Sequence, residues 1–402
     1  MPAGSLSSGI QTQDKIAALK HVLQLRQATL LCVGPMSLNC VDVAIELANE
    51  HQVPLILIAS RRQIDSEAFG GGYVNRWTTE DFCRYVKEKD RGHHVLLARD
   101  HGGPWQSELE VKHRLPYSEA MQSAQLSYQT DIASGMDILH LDPGHDAMGK
   151  ATVSLNTFIQ RTQDLLEFCH ATARHYGRDI AIEIGTDEGL IGAAPPQDTQ
   201  HLLQSILDFC TREALPPPSF LVVQTGTKVM EMRNVGELDP LVHAQGGTLA
   251  PQTLSTLIQI CKTHGLMLKE HNADYLSEET LAWHPRIGLH SANVAPEFGV
   301  TETLSFLDIL NKIGLPSLHD KILELAFQSR KWEKWMLANT TATDSDRAVI
   351  AGHYVFSHPT FVEIKQEAVM RCRALNIDLN SVLKEAIKRR MLRYMRNFRL
   401  IP

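Results

Sequence analysis

Eight short apolar segments recur along the chain, and each is followed by a longer stretch of helical character. The segments are nearly continuous apolar runs, which are typical of parallel strands covered on both faces by helices. Strands that alternate with helices eight times predict an α/β fold that closes into a (β/α)₈ TIM barrel. The eight runs are residues 29–34, 54–60, 95–100, 138–142, 181–185, 220–226, 266–271 and 286–291.

The segments between these runs carry helix start and stop signals. The helix predicted over residues 79–89 begins within the sequence Thr-Thr-Glu-Asp at residues 78–81, a predicted N-cap followed by an acidic first turn. Gly135, Gly177 and Gly265 each stand just before the next apolar run, where a left-handed helix end needs glycine. A doubly wound open sheet is the alternative architecture, but no GxGxxG motif follows the first run to support it.

The pattern changes to helices alone after Leu315, with amphipathic segments predicted at residues 321–339, 360–375 and 381–398. We therefore predict an N-terminal segment with a first helix over residues 1–28, a barrel over 29–315, and a C-terminal helical extension over 316–402 that packs on the barrel. The basic run at residues 388–390 is interpreted as the solvated face of a helix or an oligomer contact, with an anionic partner as the alternative.

Composition narrows the class of protein. The chain of 402 residues is 43% hydrophobic and 21% charged, which allows a sizeable core. Its formal net charge of −7 argues against a nucleic-acid partner. The seven cysteines form no CxxC pair and are interpreted as buried free thiols in a reducing compartment. Without a signal-peptide pattern or an apolar run of membrane-spanning length, we predict a cytoplasmic protein with no membrane partner.

Polar residues at the ends of the apolar runs mark the candidate site, because barrel enzymes place their chemistry at the C-terminal ends of the strands. Asp100 and His101 end the third run, Glu183 lies in the fifth, and His271 ends the seventh. A buried charge is costly unless it is paired or bound to a metal. Imidazoles and carboxylates suit a divalent ion, most simply Zn²⁺, with one position left open. We predict that these four side chains surround one cation.

Further polar residues stand at the same predicted rim. His140 and Asp142 end the fourth run, and His290 is open to interpretation as a site residue or a supporting one. Three other histidines are interpreted as ordinary loop residues, namely His145, His243 and His284. The residues predicted to contact substrate are Asp142, Gln224, Lys228, Asn293 and Arg61.

Several local motifs, taken in their order and spacing, resemble the accessory-subunit family of tagatose-bisphosphate aldolase, the large subunit that accompanies a class II aldolase. The similarity runs from the first predicted strand into the C-terminal helices. The motifs are FGGGYVNRWTTEDF at residues 69–82, ARDHGGPW at 98–105, ILHLD at 138–142, EIGTDEG at 183–189, VVQTG at 222–226, EHNADY at 270–275, DSDR at 344–347 and HP at 358–359.

This resemblance implies a TIM barrel related to class II aldolases and assigns roles to the candidate residues. Asp100 is implied to transfer the proton, and His101 and His271 to bind the metal. Glu183 matches the region of a metal-associated glutamate. Asn293 falls where such enzymes place an asparagine that contacts substrate.

The sequence also departs from the class II aldolase pattern. Where those enzymes carry a third histidine ligand, this chain has Gln224 and Thr225, and residues 272–274 (Asn-Ala-Asp) replace the expected glycine-serine phosphate loop. Either Glu183 or Asp142 completes the metal set, or the ion is lost. The basic residues expected to supply positive charge for a substrate phosphate are Arg61, Arg62 and Lys228.

The resulting functional prediction is a metal-dependent lyase that performs class II-type aldol and retro-aldol chemistry on a ketose or ketose phosphate. Rotation of the aldehyde fragment before re-addition gives net C4 epimerisation, so an epimerase is included. One alternative is a non-catalytic subunit that stabilises a partner aldolase. Another is a barrel that binds or senses a sugar without turnover. The expected partners are a sugar or sugar phosphate, and either a second copy of the chain or an aldolase subunit.

Overall fold

A computed structural model of the chain describes residues 12–150, 153–185, 195–224, 226–238 and 249–402. Eight parallel strands in these segments close into a barrel, which confirms the predicted TIM fold and shows that the open-sheet alternative is wrong. The first and last strands complete the ring through the pairing of Leu30 with Ser291. The strands are β1 Leu30–Val33, β2 Leu55–Ser60, β3 Val95–Gly102, β4 Ile138–Leu141, β5 Ala181–Gly185, β6 Phe220–Val223, β7 Met267–Glu270 and β8 Ser291–Val294.

Helices follow the strands and continue beyond the last one. The strands β6 and β7 are separated by a short antiparallel hairpin, Val229–Met230 with Arg233–Asn234, as well as by a helix. The α-helices are α1 Thr12–Arg26, α2 Leu38–His51, α3 Thr79–Lys89, α4 Glu108–His113, α5 Tyr117–Ser134, α6 Leu155–His175, α7 Pro196–Arg212, α8 Leu249–Thr263, α9 Glu278–Ile287, α10 Pro296–Lys312, α11 Pro316–Gln328, α12 Asp344–Ala351, α13 Pro359–Ala374 and α14 Leu379–Asn397.

Local sequence signals account for several helix ends. Thr78 caps α3 by accepting a hydrogen bond from the backbone N–H of Asp81 at 3.1 Å, as the Thr-Thr-Glu-Asp sequence predicts. Gly135, Gly177 and Gly265 have φ angles of 85°, 60° and 74°. They occupy the left-handed region that glycine adopts without a Cβ penalty, as predicted from their position before the next strand.

The predicted helix over residues 321–339 is wrong at its C-terminal half. Helix α11 ends at Gln328, and Arg330 adopts a left-handed φ of 57°. The indole of Trp332 then folds back, donates to the carbonyl of Phe327 at 2.9 Å and stacks on the Phe327 ring. This local hydrogen bond and ring contact replace a further turn of α-helix.

The apolar side chains of the described residues form two cores. The main core fills the barrel and its contacts with the surrounding helices, and it includes Ile387, Met391 and Tyr394 from α14. The second core lies between α10, α11, α12 and α13 and extends to Leu379 and Leu383. Helix α14 therefore belongs to both cores. The seven cysteines are buried and free, as predicted.

Part of the basic surface of α14 is neutralised within the chain. Lys384 forms an ion pair with Asp42 of α2 at 2.7 Å, and Lys388 forms one with Glu50 at 2.7 Å. Arg390 lies 3.2 Å from the carboxylate of Glu297. These contacts give the basic run a role in fastening the last helix to the barrel.

The described residues contain no helix that is long and apolar enough to cross a membrane. The predicted domain boundaries at residues 28 and 315 remain predictions. Three predicted features lie outside the described residues, namely the first eleven residues of the N-terminal segment, residues 186–189 of the EIGTDEG motif, and the positions of Thr225 and His243.

Candidate active site at the C-terminal ends of the strands

The end of β3 is distorted where it presents Asp100 and His101. The pairing of β3 with β4 shifts register between Arg99 and Gly102, which marks a β-bulge or a similar irregularity. His101 has a φ of 46°, a left-handed conformation that is costly for a residue with a Cβ. Bulges and left-handed non-glycine residues are both concentrated near active sites, where they redirect a side chain.

Two glycines allow this strand end to pack closely. A Cβ at Gly102 would stand 2.3 Å from the hydroxyl of Tyr128. Gly103 has a φ of 140°, and a Cβ there would stand 2.5 Å from the carbonyl oxygen of Asp142. Gly102 therefore allows the end of β3 to pack against Tyr128 of α5, and Gly103 allows the chain after β3 to approach the end of β4.

Arg99 anchors the same strand end from the outer face of the barrel. Its buried guanidinium pairs with Asp131 through two nitrogens, at 2.8 and 2.5 Å. It also donates to the backbone carbonyls of Ala59 and Ile64, at 2.9 and 2.6 Å. The ends of β2 and β3 are thus held together directly beneath Asp100.

The imidazole of His101 lies between a carboxylate and a second imidazole. Its Nδ1 is 2.9 Å from Oδ2 of Asp142, and its Nε2 is 2.7 Å from Nε2 of His271. An ionised carboxylate only accepts hydrogen bonds, so Nδ1 carries the proton and Nε2 of the neutral ring keeps its lone pair. His271 is held by its backbone N–H, which donates to the carbonyl of Val223 at 2.8 Å.

Asp142 is fully buried and is itself held in place. Gln106 donates from Nε2 to Oδ2 of Asp142 at 2.9 Å, and the same nitrogen lies 2.8 Å from Nδ1 of His145. Burial opposes ionisation, but the hydrogen bond from His101 and the nearby imidazole of His145 lower the pKa of Asp142 to about 2. Its Oδ1 has no hydrogen-bond partner within the described segments. The carboxylate therefore retains free acceptor capacity at the site.

Asp100 faces the same group of imidazoles. Its Oδ2 is 3.7 Å from Nε2 of His101, and its Oδ1 is 3.6 Å from Nδ1 of His140. Burial would raise the pKa of this carboxyl, but the surrounding imidazoles of His101, His140 and His271 hold it well below its usual value. Asp100 is therefore ionised at neutral pH.

His140 is a site residue that the sequence analysis noted but did not assign. The backbone N–H of His101 donates to Nδ1 of His140 at 3.3 Å, and Nε2 of His140 donates to the carbonyl of Gly185 at 3.2 Å. Possible ligand atoms of Asp100, His101 and His140 all lie within 4.8 Å of one another. The available signal was its position two residues before Asp142 in an otherwise apolar run.

Glu183 occupies a different place from the one predicted. Its carboxylate forms an ion pair with Lys269, and both side chains are buried. Lys269 lies two residues before His271 on β7, and its ammonium also lies over the ring of Phe220. The structure therefore brings Asp100, His101 and His271 together but joins Glu183 to a lysine that the sequence analysis missed.

Arg61 is already engaged by protein groups. Its Nε pairs with Asp65 at 2.9 Å, its Nη1 with Glu110 at 2.5 Å, and its Nη2 donates to Ser123 at 3.1 Å. Each of its guanidinium nitrogens therefore has an acceptor in the protein. The geometry gives Arg61 a role in holding the loop after β3, and it does not favour the predicted contact with substrate.

The side chains of Gln224, Lys228 and Asn293, which are also predicted to contact substrate, differ in burial and in whether they already have hydrogen-bond partners within the protein. Gln224 donates from Nε2 to the carbonyl of Thr227 at 2.8 Å, and the side chain of Lys228 is exposed. Asn293 is buried, and neither atom of its side-chain amide has a hydrogen-bond partner among the described residues. An unsatisfied buried amide is costly, so Asn293 is the predicted contact whose geometry most favours a bound polar ligand.

The ligand atoms of Asp100, His101 and His140 lie close enough together to hold a divalent cation, and His271 contacts this group through Nε2 of His101 at 2.7 Å. The Nε2 atoms of His101 and His271 are in contact, and Oδ2 of Asp100 lies 3.7 Å from Nε2 of His101. The carboxylate of Asp142 orients the imidazole of His101. A carboxylate that hydrogen-bonds the far nitrogen of a histidine ligand is the usual supporting contact in such sites. Two imidazoles with carboxylate oxygen suit Zn²⁺ among other transition metals.

The sequence matches no protein-family model and no curated protein. Solved structures do resemble the chain. A probable tagatose 6 phosphate kinase from Sinorhizobium meliloti 1021 has a TM-score of 0.70 and 19% identity, covering 92% of this chain and 100% of its own. Fructose-bisphosphate aldolase (Fba) from Campylobacter jejuni has a TM-score of 0.56 and 12% identity, covering 98% of this chain and 96% of its own. At these identities the comparison establishes the shared barrel fold.

Proposed function

We propose that this chain is a metal-dependent enzyme of the class II aldolase type, which cleaves and forms a C–C bond in a ketose or ketose phosphate. The observation that carries the proposal is the convergence of Asp100, His101 and His271, with Asp142 fixing the tautomer of His101. The fold shared with a fructose-bisphosphate aldolase supports the reaction class. Barrels of this fold host many different reactions, so the side chains at the site decide the reaction class.

His101 and His271 would hold the divalent ion, with Asp100 or His140 beside it. When bound, such an ion supplies Lewis-acid polarisation of the substrate carbonyl. Zn²⁺ is the ion we propose. Glu183 was predicted as a ligand from the sequence, but its ion pair with Lys269 makes it a less suitable donor.

Asp100 accepts the proton in the cleavage direction. Its ionised carboxylate takes the proton from the substrate hydroxyl next to the breaking C–C bond. As that hydroxyl becomes a carbonyl, the C–C bond breaks and its electron pair passes to the fragment that carries the ketone. Return of the same proton completes the aldol direction, and rotation of the aldehyde before re-addition gives the C4 epimer. The buried amide of Asn293, which has no hydrogen-bond partner among the described residues, supports a role in binding a hydroxyl of the substrate.

The experiment combines metal analysis with turnover. Protein purified without chelators is analysed for bound metal, and release of a three-carbon aldehyde or of an epimer is measured with phosphorylated and unphosphorylated ketohexoses. Substituting His271→Ala or Asp100→Asn is expected to lower kcat/KM by about 10²–10⁴-fold. His201→Ala on the exposed face of α7 is the matched control. Absence of stoichiometric metal under every loading condition would refute the proposal.

A non-catalytic stabilising subunit is the second candidate. It is favoured by the engaged amide of Gln224, which stands where class II aldolases carry a histidine, and by the engaged guanidinium of Arg61. Under this alternative, turnover requires a separate small class II aldolase that co-purifies with the chain. The activity of that complex would survive His271→Ala, whereas the enzyme proposed above would lose it.

A further inference from the structure

A cavity of about 160 Å³ lies outside the barrel, between the loops after β1 and β2 and the C-terminal extension. Its walls come from five parts of the chain, namely the loop before α2 with the start of that helix, the loop before α3, helix α10, the segment from His353 into α13, and Leu383 of α14. None of the residues of the candidate active site lines it. The cavity is therefore a separate feature of the fold.

His353 is a buried polar side chain on the wall of this cavity. Its exposed fraction is 1%, and neither ring nitrogen has a hydrogen-bond partner among the described residues. Burial lowers the pKa of His353 to about 3, so the ring is neutral and offers one donor and one acceptor. Gly299 leaves the space for the ring, because a Cβ there would stand 2.7 Å from Cγ of His353. A neutral imidazole with two unsatisfied nitrogens needs a polar partner.

Glu302 lines the same cavity from α10. Its buried carboxylate accepts hydrogen bonds from the hydroxyl of Ser37 and from the amide of Asn39, the latter at 2.7 Å. Each carboxylate oxygen has two acceptor positions, so these contacts leave further capacity. Lys365 is a half-buried cation on the same wall and partly offsets the charge of Glu302. The cavity thus combines donors and acceptors with no net formal charge from these groups.

The rest of the wall is apolar. It includes the thioether of Met36 and the aromatic rings of Phe306, Phe356 and Phe361. A cavity of about 150 Å³ is large enough for a ligand of six heavy atoms such as benzene. A small compound with hydroxyl groups matches this wall better than benzene does, because each hydroxyl both donates and accepts while the C–H groups contact the aromatic rings.

We propose that this cavity is a second ligand site, which binds a neutral three-carbon polyol through His353 and Glu302. Glycerol, with six heavy atoms, is the simplest probe of this class. The site does not depend on the proposed aldol chemistry, because it shares no lining residue with the metal cluster. Charged compounds of similar size gain no net attraction from the lining groups and bind more weakly.

The test follows the methyl group of Met36 by NMR, in protein labelled at its methionine methyls and assigned with Met36→Leu. Glycerol is expected to shift this signal saturably. His353→Phe keeps an aromatic ring but removes both nitrogens, and is expected to weaken binding about tenfold or more through the lost hydrogen bonds. His284→Phe, at an equally buried histidine outside the cavity, is the matched control and is expected to bind like the native protein.

Glu302→Gln provides a second variant of almost unchanged shape if His353→Phe does not fold, and it is also expected to weaken glycerol binding. A Met36 shift that rises with glycerol concentration without saturating means that no defined glycerol site exists, and it overturns the proposal. Equal affinity in native protein and in both cavity variants overturns it as well. Tighter binding of acetate or methylammonium than of glycerol would overturn the ligand class. None of these readouts uses turnover or bound metal, so they are independent of the proposed function.

Discussion

Substitution of Asp142 by asparagine tests whether this carboxylate prepares His101 for metal binding. Oδ2 of Asp142 accepts hydrogen bonds from Nδ1 of His101 and from Nε2 of Gln106, both at 2.9 Å. The substitution keeps the size of the side chain and removes its charge. Because Asp142 is fully buried, water does not replace the lost acceptor.

Both orientations of the new amide are unfavourable, the first because it leaves a buried donor unsatisfied and the second because it removes the metal-binding lone pair of His101. If its oxygen faces His101, the NH₂ group takes the place of Oδ1, which has no hydrogen-bond partner within the described residues, and a buried donor is left unsatisfied. If its NH₂ group faces His101, Nδ1 must accept, and the ring proton moves to Nε2 and removes the lone pair that faces His271. Loss of such an orienting carboxylate typically lowers metal affinity by about 10–100-fold, or roughly 1.4–2.7 kcal/mol.

The assay is a competition titration of metal-free protein with Zn²⁺ and a chromophoric chelator. Asp142→Asn is expected to raise the dissociation constant by about 10–100-fold. Asp164→Asn removes the same charge from the exposed surface of α6 and is expected to leave the dissociation constant unchanged. An unchanged affinity in Asp142→Asn, or the same loss in both variants, would refute the orienting role of this carboxylate.

Two predictions concern buried ionisable groups that are not themselves proposed as metal ligands. Burial, followed by the nearby carboxylate of Glu297, raises the pKa of Asp274 to about 8, so the folded state binds a proton more tightly than the unfolded state. This stabilisation is complete below about pH 4 and is lost as the pH rises to about 8, at no more than roughly 1.4 kcal/mol per pH unit. Urea unfolding should show Asp274→Asn gaining stability relative to the native protein over this range, and a constant difference would contradict the assignment. Arg99→Met leaves the buried carboxylate of Asp131 unpaired, so it should lower the free energy of unfolding by about 3–5 kcal/mol. Equilibrium unfolding measures this loss, and a loss below about 1 kcal/mol would contradict the predicted cost of the unpaired charge.

The barrel could be predicted from the sequence because its signals are local and periodic. Eight apolar runs with helical segments between them allow few architectures, and seven of the runs coincide with a strand over most of its length. The eighth prediction, residues 286–291, is wrong for all but Ser291, because residues 286–287 belong to α9 and β8 begins at Ser291. The same reasoning placed Asp100, His101 and His271 at one rim, because the C-terminal ends of parallel strands lie on one face of a barrel. Helix ends marked by Thr78 and Gly135 were also local enough to predict.

The partner of each polar side chain could not be predicted in the same way. The alternation of apolar and polar side chains along a strand shows which residues face the barrel interior. It does not show which inward-facing residue of another strand lies at the same level along the barrel axis. The sequence alone therefore offered Glu183 as a metal ligand, whereas the barrel places it beside Lys269. Arg61, likewise, follows a strand as a substrate-binding arginine would, and yet the acids that engage it come from its own loop and from α4.

The sequence by itself determined the strand order, the rim that carries the polar residues, and the chemical types of side chain gathered there. Only the tertiary structure decided that His101 stands between Asp142 and His271, that His140 joins them, and that a cavity beside His353 exists. The physical reason is distance along the chain. Apolar periodicity acts within one element, whereas these contacts depend on the irregular end of β3 and on the register between strands that are up to 170 residues apart.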